Sequence, residues 1–353
     1  MTARSSLAIA RAGYRDIALY APDRAACAID LSDNTNLWGT PPAAARAARD
    51  TAAAALTRYP ALYASELKEA LATYAGIATE CVVTGCGSDD VLDSAIRALA
   101  EPGSRIAYAE PTFAMVPVFA RMNGIEPVGV PFAPGFDIDP DALLATGARI
   151  IYLCSPNNPT GTAATRAAVE RVLDRAPGVV ILDEAYGEFL GHGFIASAPA
   201  RENLLVTRTM SKAFGLAGLR IGWATGHPSL VREVEKSRGP YKVSAVAERA
   251  ACAALGEDLD WVRARVADAR AARDRLASAL RAMGLAPLPS AANFLLVPVA
   301  DAPAVARRLR ECDVAVRPFT ALPGIGDALR VTAGPEPMMD ALLRALREAV
   351  ACE

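Results

Sequence analysis

The sequence predicts an α/β fold, with a large domain whose mostly parallel sheet has helices on both faces and a smaller α+β domain after it. Three observations predict this fold. The chain has 353 residues, more than a typical single domain. Between about residues 65 and 226, short apolar runs alternate with amphipathic segments, a pattern typical of parallel sheets. After Gly239-Pro240, helical segments rich in alanine and arginine are mixed with short strands.

The first part of the chain carries the alternating pattern. Strands are predicted at 81–84, 105–109, 127–132, 150–154, 179–182, 204–207 and 221–224. Helices are predicted at 65–74, 88–99, 113–123 and 165–175. Ser88 is the expected N-cap of its helix, because a serine hydroxyl can accept a hydrogen bond from the first free N–H groups.

The last part of the chain predicts a different arrangement. Helices are expected at 244–255, 259–283, 302–311 and 337–350, and strands at 293–299, 314–317 and 329–332. We expect residues 1–40 to join this smaller domain, residues 41–240 to form the large domain, and residues 241–353 to form the small one.

Composition argues against several classes of protein. Hydrophobic residues make up 52% of the chain and charged residues 22%, which suits a large core and not a disordered chain. The net charge is −2 and there is no basic block, so nucleic-acid binding has little support. No apolar stretch approaches the roughly 18 residues of a membrane span, and the first twenty residues lack a secretory core. We expect a cytoplasmic protein that binds neither membranes nor nucleic acid.

Cysteine and histidine usage gives no sign of a metal site. The seven cysteines form no C-x-x-C pair, and there are only two histidines. We expect no metal ion, and we expect most of the cysteines to be buried apolar residues in a reducing compartment.

Lys212 carries the clearest chemical signal. It is one of four lysines, and arginine supplies nearly all of the remaining positive charge. A partly desolvated amine can lose its proton and condense with a carbonyl, whereas arginine stays protonated. Ser211 beside it and Arg220 further on are hydrogen-bond donors suited to a phosphate.

Asn158 and Asp183 each come shortly after the apolar core of a predicted parallel strand, and Tyr186 follows Asp183 closely. Open α/β sheets bind their ligands at the carboxyl ends of the strands. A buried carboxylate there costs free energy unless it is paired with a cation, and a protonated pyridine nitrogen is such a cation. With the lysine and the phosphate donors, this set indicates pyridoxal phosphate.

The run Gly85-Cys86-Gly87-Ser88-Asp89-Asp90 follows a strand and opens a helix. Free N–H groups and the helix dipole at such a point can hold a phosphate dianion. The run lacks the third glycine of a dinucleotide fingerprint. By itself it is explained equally well as a tight turn.

Several motifs together carry a family resemblance. They are PNNPTG at 156–161, DEAY at 183–186, SKAFGLAGLRIG at 211–222, RYP at 58–60, PTF at 111–113, VRPF at 316–319 and LRVTAG at 329–334. In this order they resemble the fold-type I pyridoxal-phosphate aminotransferases, and most closely the histidinol-phosphate aminotransferase branch, from Tyr20 to the C-terminal helix. The resemblance implies a sheet of the seven-stranded type.

The resemblance also implies a role for each matching residue. Lys212 would condense with the cofactor aldehyde and move the proton, while Asp183 and Tyr186 would contact the ring. The implied cofactor-binding set is Ser88, Asp89, Phe113, Asn158, Asp183, Tyr186, Thr209, Ser211, Lys212 and Arg220, with Tyr59 reaching a neighbouring subunit. A homodimer with shared sites is therefore implied.

The substrate side is implied in the same way, with one departure from the family. Implied substrate-binding residues are Arg330, Arg317, Tyr20, Asn36 and Trp38. The branch usually has Asn-Glu-Asn-Pro-Tyr-Gly where this chain has Asn34-Thr35-Asn36-Leu37-Trp38-Gly39. Because this segment lines the substrate entrance in relatives, we expect histidinol phosphate to be a secondary donor here. Phe113 also replaces a frequent tyrosine.

The expected reaction is transfer of an amino group between a donor, an amino acid or histidinol phosphate, and a 2-oxo acid. Phosphothreonine decarboxylase relatives share the motif set, and others run oxidations or cyclisations, so these reactions remain alternatives. A ligand-sensing regulator is a further alternative, although it needs an added DNA-binding module. The last alternative, a nicotinamide dehydrogenase, is supported only by the glycine turn at 85–87.

Overall fold

The computed structural model describes residues 11–15, 17–19 and 26–350. Its strands are β1 Ile29–Asp30, β2 Val82–Cys86, β3 Arg105–Glu110, β4 Glu126–Pro131, β5 Ile150–Cys154, β6 Val179–Asp183, β7 Leu204–Thr209, β8 Ile221–Gly226, β9 Phe294–Pro298, β10 Val314–Ala315, β11 Arg317–Leu322 and β12 Gly326–Thr332. Its helices are α1 Ala12–Arg15, α2 Pro42–Arg49, α3 Ala53–Leu56, α4 Ser65–Ala75, α5 Gly87–Leu99, α6 Met115–Met122, α7 Pro140–Ala145, α8 Arg166–Arg175, α9 Gly187–Leu190, α10 Pro228–Arg238, α11 Ala245–Glu257, α12 Leu259–Ala282, α13 Ala302–Glu311 and α14 Glu336–Val350. In this described part of the chain, no helix has both the length and the apolar character of a membrane span.

A seven-stranded sheet forms the centre of the molecule, in the order β2-β8-β7-β6-β5-β3-β4. Only β8 runs antiparallel to its neighbours, and the other pairings are parallel. Every residue of β5 and β6 is buried, as expected for apolar strands covered by helices on both faces. The predicted fold class is confirmed.

The sheet brings the ends of its strands to one edge. Strands β2, β3, β5, β6 and β7 point the same way, so their carboxyl ends lie together. The segments that follow them begin at Gly87, Pro111, Ser155, Glu184 and Met210. Most motifs singled out in the sequence lie in these segments, and the sheet therefore collects them at one site.

A second, smaller sheet lies in the C-terminal part. Strands β11, β12 and β9 form an antiparallel sheet, while β1 pairs in parallel with β10 through Ile29 and Val314. Helix α11 lies in a core cluster that contains both Phe214, near the large sheet, and Phe294 of β9. This cluster joins the two parts of the molecule.

Several local predictions were wrong. Helix α5 begins at Gly87, and its N-cap is Cys86 without a side-chain bond, so Ser88 lies inside the first turn. The carboxylate of Asp90 accepts the N–H of the N-cap residue Cys86 at 3.0 Å, so it bonds back to the cap and leaves the N–H groups of the first turn free of a side-chain cap. The strand predicted at 314–317 is split at Val316 into β10 and β11, which belong to different sheets. The helices not predicted are α1, α2, α3, α7, α9 and α10.

The cysteine prediction was also wrong for most of the cysteines described. Cys81 and Cys154 are buried, but Cys86 and Cys312 are exposed, and Cys27 and Cys252 are intermediate. Cys86 and Cys312 lie at the ends of helices α5 and α13, where their side chains are exposed.

Candidate active site

Lys212 lies in the turn that connects β7 to β8, at the edge where the strands end. Its amine is partly buried and donates a hydrogen bond to the carbonyl oxygen of Asp33 at 3.0 Å. Nζ lies 5.9 Å from the centre of the Tyr186 ring. Burial, and next the positive charge of Arg330, lower the pKa of this amine to about 8. A substantial neutral fraction can therefore act as a nucleophile or a base near neutral pH.

Asp183 ends β6 and is almost completely buried, with 3% of its surface exposed. The hydroxyl of Tyr152 donates to Oδ2 at 2.7 Å, and the N–H of Ala185 donates to Oδ1 at 3.0 Å. Burial raises the pKa of the carboxyl to about 6, although the Tyr152 and Ala185 hydrogen bonds oppose the rise. Because both donors are neutral, a cation bound here would stabilise the carboxylate.

Tyr186 follows Asp183 and is buried against Asn34 and Phe294. Its hydroxyl accepts a hydrogen bond from Asn34 Nδ2 at 3.0 Å, and its ring packs edge-on against Phe294 with centroids 5.1 Å apart. Burial raises the pKa of this phenol to about 12. The hydroxyl therefore stays protonated and can donate to an anionic ligand oxygen.

The two asparagines of the PNNPTG motif have different environments. Asn157 is buried, and its side chain bonds to Thr112, to the Pro111 carbonyl and to Thr160 at 2.8–3.0 Å. Asn158 instead accepts a hydrogen bond from Arg330 Nη1 at 2.6 Å. Asn157 therefore shapes the loop, and Asn158 is the one that lies with the candidate site residues.

The N-terminus of α5 lies against the start of β8 and forms a cradle. Gly222 makes this possible, because a Cβ on it would collide with the main chain of Gly87 and Ser88. The free N–H groups of this first turn, which holds Ser88 and Asp89, suit a phosphate dianion.

Three further side chains of the predicted phosphate set lie near β8 and its turn. Thr209 and Ser211 are buried, and their hydroxyls are 3.0 Å apart. Arg220 is half-exposed and lies 3.4 Å from Asp89 Oδ2. Burial raises the pKa of Asp89, although Arg220 opposes the rise. The structure therefore groups the predicted phosphate donors, and together they fit a phosphate group.

Phe113 follows β3 at the same edge of the sheet. Its ring is partly buried and packs against the core cluster that contains Tyr108 and Tyr152. An aromatic ring in this place can cover the face of a flat cofactor.

Arg330 and Arg317 face each other across the small sheet, since their Cα atoms are register partners in β12 and β11. Arg330 is 9% exposed and also donates to the Ser32 carbonyl at 2.6 Å. The rings of Phe294 and Phe319 lie 5.6 and 5.7 Å from its guanidinium carbon. Directly opposed residues share one face of a sheet, so two guanidinium groups lie on the same side.

The segment 34–39 reaches the Lys212 turn. Asn36 Nδ2 donates to the carbonyl of Ala213 at 2.9 Å, and its Oδ1 accepts the N–H of Trp38 at 3.0 Å. Trp38 is partly buried against the core cluster of Phe214. Asn36 and Trp38 thus lie close to the lysine turn, whereas Tyr20 lies outside the described residues.

Tyr59 lies on the surface of the chain, apart from the buried residues of the site. Its side chain is 83% exposed and stacks on Tyr241 with ring centroids 4.7 Å apart. Leu56 and Leu62 beside it in the sequence are also exposed.

Sequence reasoning missed four residues that organise the site: Asn34, Thr112, Tyr152 and Asn157. Tyr152 had a usable signal, because a tyrosine within a fully buried strand needs a hydrogen-bond partner. The others gave no signal of their own, since their partners are distant in the chain or lie in irregular loops.

Comparisons with known proteins find relatives that match this chain over most of its length. The family model described as aminotransferase class I and II matches residues 27–346. The histidinol-phosphate aminotransferase of Roseiflexus castenholzii is 40% identical over 333 residues, covering 91% of this chain and 89% of that protein. The aromatic amino acid aminotransferase of Streptomyces coelicolor is 35% identical over 353 residues, covering 96% of both.

Solved structures are also similar. The crystal structure of histidinol-phosphate aminotransferase from Sinorhizobium meliloti in complex with pyridoxal-5'-phosphate superposes with a TM-score of 0.84 at 27% identity. The alignment covers 93% of this chain and 92% of that one. The N-succinyldiaminopimelate aminotransferase from Mycobacterium tuberculosis superposes with a TM-score of 0.80 at 27% identity, covering 91% and 93%.

Proposed function

This chain belongs to the class I and II aminotransferases, and from that premise we propose that it transfers the amino group of histidinol phosphate to a 2-oxo acid. It is a transaminase whose cofactor is pyridoxal phosphate and whose substrates are small molecules. The decarboxylase, oxidase and cyclase alternatives are not favoured, because the relatives are named aminotransferases.

The observation that carries the choice of donor is the pair of opposed arginines, Arg317 and Arg330. A phosphate dianion suits two guanidinium groups, whereas a single carboxylate is matched by one guanidinium fork. The same pair would accept the second carboxylate of a dicarboxylic 2-oxo acid in the other half-reaction. The donor and the acceptor would then use one anion subsite in turn.

We propose that the cofactor is held by the residues at the sheet edge. The N–H groups of Ser88 and Asp89, with Thr209, Ser211 and Arg220, would bind the phosphate. Phe113 would cover one face of the ring, while Asn158 and Tyr186 would bind its phenolic oxygen. The buried carboxylate of Asp183 would pair with the ring nitrogen and keep it protonated, because a nearby anion favours the charged form of a base.

When bound, pyridoxal phosphate supplies an aldehyde that reacts with amines and a ring that accepts an electron pair. Lys212 brings to it an amine whose pKa burial lowers to about 8. With the cofactor bound, Nζ of Lys212 would be the base that takes a proton from the substrate carbon and returns it on the cofactor side. The carbonyl of Asp33, 3.0 Å from Nζ, holds the amine in place.

An aromatic amino acid is the second candidate donor, and the segment 34–39 favours it. Trp38 replaces the tyrosine usual in the family and lies partly buried against the core that holds Phe214. The Streptomyces coelicolor relative is named an aromatic amino acid aminotransferase. From this segment alone we expected histidinol phosphate to be secondary, so the arginine pair and the segment rank the two donors in opposite orders.

Half-reactions of the purified holoenzyme decide between the two donors. We expect the kcat/KM of histidinol phosphate to exceed those of phenylalanine, tyrosine and tryptophan. Arg317→Ala should lower it by about tenfold or more, the loss expected for a charge-assisted contact. Arg330→Ala should damage both half-reactions.

The control for this assay is Thr35→Glu, which restores the acid usual in the family. It should change the relative kcat/KM values of the donors more than the kcat/KM of the acceptor. If every aromatic amino acid outperforms histidinol phosphate, the second candidate replaces the first.

We also propose that the chain works as a homodimer in the cytoplasm, with residues 41–240 as the cofactor domain and residues 1–40 and 241–353 as the small domain. The exposed, stacked pair of Tyr59 and Tyr241 supports the homodimer. A tyrosine that is 83% exposed gains apolar burial when a second subunit covers it.

A further inference from the structure

Tyr152 makes the shorter of the two hydrogen bonds to the Asp183 carboxylate. It lies in the middle of β5 and its side chain is fully buried. Its hydroxyl donates to Asp183 Oδ2 at 2.7 Å, while the N–H of Ala185 donates to Oδ1 at 3.0 Å. One donor on each oxygen, from two different elements, fixes the orientation of the carboxylate.

From this geometry we infer that Tyr152 is a positioning residue that keeps the Asp183 carboxylate ionised and aimed at the cofactor's ring nitrogen. The inference rests on the proposed role of Asp183 in binding that nitrogen. Tyr152 acts only through Asp183, and we assign it no contact with substrate.

Whether Tyr152 raises or lowers the pKa of Asp183 depends on which of the two side chains carries the charge. Burial holds the pKa of Tyr152 well above its ordinary value, so the phenol stays neutral and acts as the donor. A hydrogen bond to the charged form of an acid lowers its pKa. Tyr152 is the leading group that opposes the effect of burial on Asp183. Without it, the carboxyl would be protonated more readily and would hold a cationic ring less well.

Other groups around Asp183 do not replace this contact. Thr207, which faces it from β7, also lowers the pKa of Asp183 but less than Tyr152 and Ala185 do, and Asp89, from α5, raises it through its negative charge. Cys154 from β5 and Tyr186 are buried groups whose own pKa values are raised, so both stay neutral. Among the described residues, Tyr152 therefore gives the strongest side-chain stabilisation of the anion.

Tyr108 provides a matched control. It is the register partner of Tyr152 on the neighbouring strand β3, is 7% exposed, and lies in the same core cluster. Tyr108→Phe removes the same hydroxyl from the same sheet, while the hydrogen bonds to Asp183 from Tyr152 and Ala185 stay in place. Differences between the two phenylalanine variants therefore report the contact with Asp183.

The test begins with the full chain freed of cofactor. In Tyr152→Phe, a carbon-13 NMR titration should show the pKa of Asp183 raised by about one to two units, the range expected for losing a hydrogen bond to a charged group. The same titration of Tyr108→Phe should match the native protein.

The holoenzyme gives a second set of measurements. Tyr152→Phe should weaken cofactor binding by about tenfold and lower kcat by a similar factor, with the KM of the donor changed less than about twofold. The nitrogen-15 shift of a labelled cofactor ring reports the proton on the nitrogen, and it decides the question if the cofactor-free variant does not fold. If Tyr152→Phe and Tyr108→Phe agree in these measurements, the inference is overturned.

Asp183→Asn separates this inference from the proposed function. If Asp183→Asn keeps native activity, Asp183 does not bind the cofactor as the proposed function requires. If Asp183→Asn loses activity but Tyr152→Phe behaves like Tyr108→Phe, the proposed function stands and only the role of Tyr152 is overturned. In the Asp183→Asn background, Tyr152→Phe should cost less than about twofold, because two residues that act through one contact are not additive.

Discussion

At the scale of residues, burial drives the two central titratable groups toward neutrality from opposite sides. It lowers the pKa of Lys212 to about 8 and raises the pKa of Asp183 to about 6. Lys212 can therefore change protonation state close to neutral pH, as proton transfer requires. A cationic ring bound to Asp183 would restore the charge that burial opposes.

Lys212→Ala should abolish turnover while the protein still folds and binds the cofactor through its phosphate and ring contacts. The alanine removes the amine that we propose bonds to the aldehyde and moves the proton. Borohydride reduction of the native holoenzyme should attach the cofactor to Lys212, and peptide mapping locates the link. Turnover at the native rate in Lys212→Ala would contradict the central assignment.

Lys212→Ala also tests the lowered pKa of Lys212 in the cofactor-free protein. Because folding lowers the pKa of Lys212, the unfolded chain binds more protons between about pH 8 and pH 10.5, and stability rises with pH in that window. The free energy of unfolding of the native protein, relative to Lys212→Ala, should increase by roughly 2 kcal/mol across it. Denaturant unfolding at the two pH values measures this change. No change would mean that the amine is well solvated.

At the scale of elements, the close approach of β8 to the start of α5 builds the cradle that we propose for the phosphate. Strand β8 runs antiparallel to β2 and β7, and its first residues pass the turn at Gly87. Sequence periodicity shows that a strand exists but not its direction, so the antiparallel course of β8 could not be predicted. The contact depends on Gly222.

Gly222→Ala should weaken cofactor binding by about tenfold or more, because the new methyl group pushes the main chain of Gly87 and Ser88 away from the phosphate position. Overpacking of this kind also costs about 1–3 kcal/mol of stability. Equilibrium dialysis of the cofactor and thermal unfolding measure the two effects.

Gly218→Ala is the matched control, since a Cβ at Gly218 meets no atom within 4 Å. It should leave both quantities close to native. Equal cofactor affinity in Gly222→Ala and Gly218→Ala would show that the approach of β8 does not shape the cradle.

At the scale of the whole molecule, shared sites in a homodimer stay a prediction that complementation can test. Tyr59→Ala and Lys212→Ala should each be nearly inactive alone. Mixed and reassociated, they should regain about a quarter of native activity, because half of the dimers are hybrids with one intact site of two. Activity assays together with sedimentation measure this.

The control mixes Lys212→Ala with Asp183→Asn. Both residues belong to the same subunit's site, so no hybrid has an intact site and no activity should return. A monomer that is fully active at high dilution would contradict the shared site.

The sequence by itself determined the family and the cofactor chemistry, and it pointed to candidate residues for the site. Lys212, Asp183 and Asn158 could be found because their motifs are local, and because a lysine among arginines or an acid at the end of an apolar strand is a chemical signal. The alternation of strands and helices predicted the sheet, since the period of the pattern depends only on neighbouring residues.

Only the tertiary structure decided which distant residues meet. Tyr152 reaches Asp183 from the neighbouring strand, Asn34 reaches Tyr186 across 152 positions of the chain, and Arg330 reaches Asn158 across 172. A hydrogen bond depends on distance in space, and a sequence pattern records only separation along the chain. The same reason explains why the opposed arginines, on which the choice of donor depends, became evident only when β11 paired with β12.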